Sequence, residues 1–190
     1  MGVNGIEYYR VVVNYIIYPF YFFLFVVNII MTHSELVKRG EKWLYNHGCD
    51  VVLTELSTTA NEIPDVIGWN TGGSSTYIEC KVTRSDFLAD KRKSPRRVPE
   101  MQMGNLRYYL CPKNIIQPQD LPVNWGLLWC YPTLIRVITK PVWYNLTEFS
   151  TREEYKMLIT ALKRVRIKGA LPIIYTDIDT DVRDFVEGLE

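Results

Sequence analysis

The apolar positions of this chain follow three different patterns. From Val11 to Met31 they are almost continuous: VVVNYIIYPFYFFLFVVNIIM. A stretch of this kind has about the length of a membrane span, which needs roughly 20 residues. Pro19 in its middle, the polar Asn14 and Asn28, and the lone flanking Arg10 count against a simple span. No small-residue cleavage site marks a secretory leader. Residues 1–30 therefore read either as a membrane anchor or as an over-extended gene start, and they stand apart from the fold.

The second pattern is helical. Thr32 and Glu35 have capping-box spacing, and Leu36, Val37, Gly40, Trp43 and Leu44 then share one helix face. Gly48 supplies the stop. The third pattern is a series of short β-rich runs: VVLTEL at 51–56, DVIGW at 65–69, TYIECKV at 76–82, LRYYLC at 106–111, GLLWC at 126–130 and LIRVIT at 134–139. Gly72-Gly73 makes a hairpin of the second and third. Thr83 caps a second helix expected from Arg84 to about Lys93, with Phe87 and Leu88 as core anchors and Pro95 as its end. A basic loop is expected over 96–105. Thr151 and Glu154 repeat the capping-box spacing and predict a last helix running to about Val165.

This order predicts an α/β fold with a mixed central sheet covered by helices on both faces. It divides the chain into the apolar segment 1–30, a core over 31–145, and a C-terminal helix with an acidic tail over 146–190. That tail carries Asp177, Asp179, Asp181 and Asp184. The length of 190 residues suits one domain. Cys49, Cys80, Cys111 and Cys130 include no closely spaced pair, and the only histidines are His33 and His47, so a structural zinc site is not expected. Buried free thiols and a reducing, cytoplasmic setting are expected instead, with membrane association through residues 11–31 if that segment is genuine.

The net charge of +1 excludes nothing, but its distribution is uneven. Between residues 81 and 113, nine basic side chains (Lys81, Arg84, Lys91, Arg92, Lys93, Arg96, Arg97, Arg107 and Lys113) face three acidic ones, Asp86, Asp90 and Glu100. Clusters of this kind bind phosphate backbones. Arg84, Lys91, Arg92, Lys93, Arg96 and Arg97 are the expected nucleic-acid contacts. The plain alternative is a solvated helix face and loop. Asp86 and Asp90 read as orienters of the basic side chains, through Lys93 or Arg97. Tyr108, Tyr109, Trp125, Trp129 and Trp143 read as core aromatics.

The chemistry is suggested by Pro64-Asp65 followed by Glu79-Cys80-Lys81. Strand alternation puts Glu79 and Lys81 on one face, with Ile78, Cys80 and Val82 on the other. Hairpin pairing brings Asp65 toward Glu79. Two neighbouring carboxylates repel unless a cation lies between them. A hard divalent ion with oxygen ligands meets that need, Mg²⁺ being the natural candidate, with Mn²⁺ able to substitute. The alternative is an ordinary surface ion pair on an edge strand, with Asp65 starting a turn.

The Asp65…Glu79-x-Lys81 pattern, the helix before it and the element order resemble the PD-(D/E)XK nuclease superfamily. The run ECKVTRSDFLADKRK at 79–93 is similar to the MmcB-type DNA-repair proteins of bacteria and phages. The resemblance spans roughly residues 32–130. It implies a restriction-endonuclease-like core of helix, three strands, helix and further strands. It also implies Asp65 and Glu79 as metal ligands and Lys81 as catalytic lysine. An additional acid is expected from the first helix, where Glu41 is the best match, with Glu55 as its competitor. The expected activity is metal-dependent hydrolysis of phosphodiester bonds, with DNA the first expected partner and RNA the alternative; a homodimer is left open, since no residue in the sequence marks an interface. The expected setting is DNA repair or a mobile element. The rival readings are a non-catalytic nucleic-acid-binding module of the same fold and a membrane-associated interaction protein.

Overall fold

The computed structural model describes residues 31–168. Residues 1–30 and the tail beyond Lys168 lie outside the described residues, and with them all of the apolar segment except Met31 and all four tail aspartates. No helix among the described residues is long and apolar enough to cross a membrane.

Helix α1 spans His33–Tyr45. Thr32 caps it: its hydroxyl accepts from the Glu35 amide at 3.2 Å, and the Glu35 carboxylate accepts from the Thr32 amide at 2.7 Å. The buried face is the one its spacing predicts, Leu36, Val37, Gly40, Trp43 and Leu44. Gly48 then turns the chain at φ +89°.

Six strands form one mixed sheet in chain order: β1 Val51–Thr54, β2 Val66–Trp69, β3 Ser75–Cys80, β4 Leu106–Pro112, β5 Gly126–Cys130 and β6 Ile135–Thr139. The first three are antiparallel, β3, β4 and β5 run parallel, and β6 returns antiparallel to β5. A parallel step needs a crossover. Between β3 and β4 it is made by α2 (Arg84–Asp90), α3 (Ser94–Arg97) and a 3-10 turn at Pro99–Met101. Helix α4 covers Glu148–Ile167.

The sheet separates two cores. On one face, Leu36, Val37 and Leu44 of α1 pack on Val66, Ile78, Cys80, Leu110 and Leu128. A Cβ at Gly40 would meet Val66 at 3.2 Å and Leu110 at 3.3 Å, so glycine lets α1 lie close on β2 and β4. On the other face, Ile67, Tyr77, Tyr109 and Leu127 meet Phe87 of α2, Met157 of α4 and Trp125. Helices cover both faces, as the element order predicts.

Several boundaries differ from the sequence reading. The second helix stops at Asp90 rather than near Lys93, and Pro95 does not end it. Pro95 lies instead in the first turn of α3, where its missing N–H costs nothing. Leu88 is 47% exposed and is no core anchor; Phe87 alone fills that role. Helix α4 starts a turn before Thr151, because Thr147 is the cap and accepts from the Ser150 amide at 3.1 Å. Glu154 is no capping acid. It is buried and accepts from Trp69 Nε1 at 2.8 Å, Ser75 Oγ at 2.9 Å and Gly104 N at 2.8 Å. These bonds and Met157 make α4 part of the core, so the division after residue 145 does not separate packing units. Trp143 is 52% exposed.

Gly104 joins the crossover to this arrangement. Its φ is +87°, and a Cβ there would lie 2.5 Å from Tyr77 Cβ. Gly104→Ala is expected to lose about 2–4 kcal/mol from backbone strain plus overpacking. Urea denaturation compared with Gly73→Ala checks this: Gly73 also has positive φ (+80°) but no atom within 4 Å of an added Cβ, so its loss should be smaller.

Candidate functional site

The alternation of β3 sets the frame. Tyr77, Glu79 and, one residue past the strand, Lys81 project toward α2, while Ile78 and Cys80 enter the core under α1. The antiparallel register pairs Val66 with Ile78, and its continuation by one residue sets Asp65 opposite Glu79. Asp65 precedes β2, and its Oδ2 accepts from the Cys80 amide at 2.7 Å, supplying a ladder bond where the strand has not yet begun. Its Oδ1 lies 3.5 Å from His33 Nε2. His33 Nε2 lies 3.3 Å from Glu55 Oε1. Glu55 follows β1 with φ +46°, a left-handed turn that non-glycine residues adopt at a cost. Ligand atoms of His33, Glu55 and Asp65 all lie within 4.8 Å of one another. This set mixes an imidazole with two carboxylates. It fits a divalent ion, and the nitrogen suits Mn²⁺ or another first-row metal better than Mg²⁺, which keeps to oxygen.

Behind β3 lies a buried ionic network. Glu79, 1% exposed, accepts from Tyr77 Oη at 2.7 Å, Lys81 Nζ at 2.8 Å and Lys93 Nζ at 2.7 Å. The guanidinium of Arg96 reaches Glu79 at 3.2 Å and Asp90 at 2.8 Å, and it also bonds Glu62. It lies 4.7 Å from the centre of the Trp125 ring. Asp90 is buried too, accepts from Tyr109 Oη at 2.7 Å and lies 3.3 Å from Lys81. Three carboxylates thus face three cations. Unpaired burial would be prohibitive for any of them.

The electrostatics of the two halves differ. Burial would raise Asp90, but Arg96 and Lys81 outweigh it and hold this carboxyl well below its usual range. Glu79 goes the other way: burial first, then the charge of Asp65, push it up against the pull of Arg96 and Lys81. Burial alone would lower Lys81, yet Glu79 raises it, so its ammonium stays charged.

His33 is raised above 6.5, chiefly by its hydrogen bond to Asp65, with burial opposing. A folded-state value above the unfolded one stabilises the fold fully below about 6.5, and that contribution fades as pH rises through the raised value. In chelator-containing buffer, the urea midpoint of the parent should therefore fall between pH 6 and 8.5 by more than that of His33→Gln. Equal slopes would remove His33 from the cluster.

The remaining expected site residues are dispersed. Glu41 does not join Asp65. It lies eight residues beyond His33, about 12 Å further along α1 at 1.5 Å per residue. Glu55, its competitor, is the acid that the structure places beside Asp65. Arg96 is 2% exposed by side chain and turned inward, so it presents no charge to a phosphate. Arg107 is buried as well, 4.3 Å from the Tyr144 ring centre. Arg84 is exposed but clamped on Asp120. Lys91, Arg92 and Arg97 are exposed, and Lys93 is half-exposed while paired to Glu79 and Asp90. Asp90 does orient Lys93, as expected, but its second partner is Arg96 rather than Arg97. Tyr109 is a core aromatic whose hydroxyl also serves the network.

Sequence reasoning missed His33, Glu62, Tyr77 and the central place of Arg96. His33 had a signal: with Val37, Gly40 and Leu44 it keeps the spacing of the sheet-facing side of α1. Glu62 had none, since it lies in a loop between strands.

No family model matches this chain, and no curated protein does. Among solved structures, a protein of unknown function from Silicibacter pomeroyi has a similar fold. The TM-score is 0.54 at 21% identity, over 69% of this chain and 86% of that one.

Proposed function

We propose that this chain is a metal-dependent endonuclease of PD-(D/E)XK type, with a restriction-endonuclease-like core, that hydrolyses phosphodiester bonds in DNA. The observation carrying this reading is the convergence of His33, Glu55 and Asp65 at the start of the strand pair that bears Glu79 and Lys81. A divalent ion, when bound, supplies a Lewis acid for a phosphate oxygen and a water of lowered pKa. Asp65, Glu55 and His33 would hold it. Glu79, the second acid of the motif, is engaged by Lys81, Lys93 and Arg96. Of these cations Lys93 is the half-exposed one, and its departure would leave Oε1 of Glu79 to Lys81 alone. Lys81, held charged by Glu79, would stabilise charge developing on the phosphate. The exposed Lys91, Arg92 and Arg97 supply the salt-dependent hold on the backbone.

One observation favours a second reading. Glu79 is buried and paired to three cations, which is also how a catalytically silent nucleic-acid-binding module would stabilise this fold. Incubation of the full chain with supercoiled and single-stranded DNA separates the two. Nicking or linearisation in Mn²⁺ or Mg²⁺, abolished by chelator and by Asp65→Asn, is the expected result. DNA retention in a mobility shift with no cleavage in either ion would leave the binding module.

A further inference from the structure

The outer face of α4 carries a pattern that the core does not use. Ser150, Glu153, Glu154 and Met157 form its buried face. Opposite them, Glu148, Arg152, Tyr155, Ile159, Leu162 and Arg166 recur at alternating steps of four and three, the seam of a coiled coil. Tyr155, Ile159 and Leu162 are 60%, 51% and 54% exposed. Three large apolar side chains in one line on a solvent-facing helix side are not a scattered surface feature.

The charges at the two ends of this line select its occupant. A second copy in the same direction and register would set Glu148 on Glu148, Arg152 on Arg152 and Arg166 on Arg166. Each contact would be repulsive. An antiparallel copy behaves differently. With Tyr155 of one helix against Ile159 of the other, Arg152 falls beside Leu162, where its stem can cover apolar surface. Glu148 then falls against Arg166 at both ends. The face is complementary to itself about a two-fold axis, which is what an isologous dimer requires.

We infer that α4 is a homodimerisation surface, pairing antiparallel with α4 of a second copy through Tyr155, Ile159 and Leu162, with Glu148 against Arg166. The inference is independent of the nuclease reading, and its test reads mass rather than activity. All substitutions lie on the exposed face, away from the core.

Sedimentation of the full chain over about 1 µM to 1 mM should show a monomer–dimer equilibrium. Ile159→Glu should weaken the dimer about a hundredfold, since it buries a carboxylate in both copies. Glu148→Arg should weaken it about tenfold, because both symmetric ends turn repulsive. The double variant Glu148→Arg with Arg166→Glu should restore the parental dimer. A chain that is monomeric throughout overturns the inference and points to a cover within the chain, such as the tail after Lys168. A dimer indifferent to Ile159→Glu, or one that the double swap does not rescue, overturns it as well.

Discussion

Arg96→Ala is expected to cost about 3–5 kcal/mol of folding stability, the range for removing one partner of a buried charge network. Typical domains have only about 5–15 kcal/mol in total, so the variant should be marginal or unfolded. One guanidinium reaches Glu62, Glu79 and Asp90, on a loop, a strand and a helix. Without it, the remaining cations near these acids are Lys81 and Lys93, and neither bonds Glu62. Glu62 Oε2 already has no partner. Arg97→Ala, next in sequence but exposed, should stay within about 0.5 kcal/mol. Urea denaturation of the pair decides the matter. If both variants behave alike, Arg96 does not hold the three acids together.

If the proposed nuclease reading holds, Lys81→Met is expected to lower DNA cleavage by about 10²–10³-fold, the usual cost of removing one donor to developing charge. Methionine keeps the length of the side chain while removing its ammonium. In that reading the loss should fall on the rate of the bound complex, with DNA retention by folded protein little changed, because the exposed Lys91, Arg92 and Arg97 would supply the binding. Lys93→Met is the informative partner. Lys93 also bonds Glu79, at 2.7 Å, but it is half-exposed and shares the carboxylate oxygen that Lys81 uses. In the nuclease reading Lys93 competes with metal for that oxygen, so its removal should lower the Mn²⁺ concentration needed for cleavage. Equal, severe loss in both variants would reduce the two lysines to props of the fold.

Much of the scaffold was legible because its causes are local. The Thr32–Glu35 cap and the buried stripe of α1 depend on residues within a few positions of one another. The same holds for the alternation that separates Glu79 and Lys81 from Cys80. The boundaries that moved were decided at longer range. Thr151–Glu154 has the same spacing as a cap, but Glu154 was claimed by Trp69, Ser75 and Gly104 from distant strands. Arg96 reads as one basic residue among several until the crossover folds it over the sheet. Nothing near Glu62 in sequence says that it will meet Tyr77 and Arg96. Glu41 looked suitable by rotation around α1, and it was distance along the axis that separated it from His33.

Cys80 sits between Glu79 and Lys81 in the sequence yet points away from both, into the core under α1. Burial, helped by the nearby acids, pushes its thiol well above the ordinary range, and burial raises those of Cys49, Cys111 and Cys130 too. Because the thiolate is the species that oxidants and alkylating agents attack, the folded chain carries four silent sulfurs. Iodoacetamide should therefore modify this protein only as fast as it opens, which makes thiol labelling a clock for its unfolding.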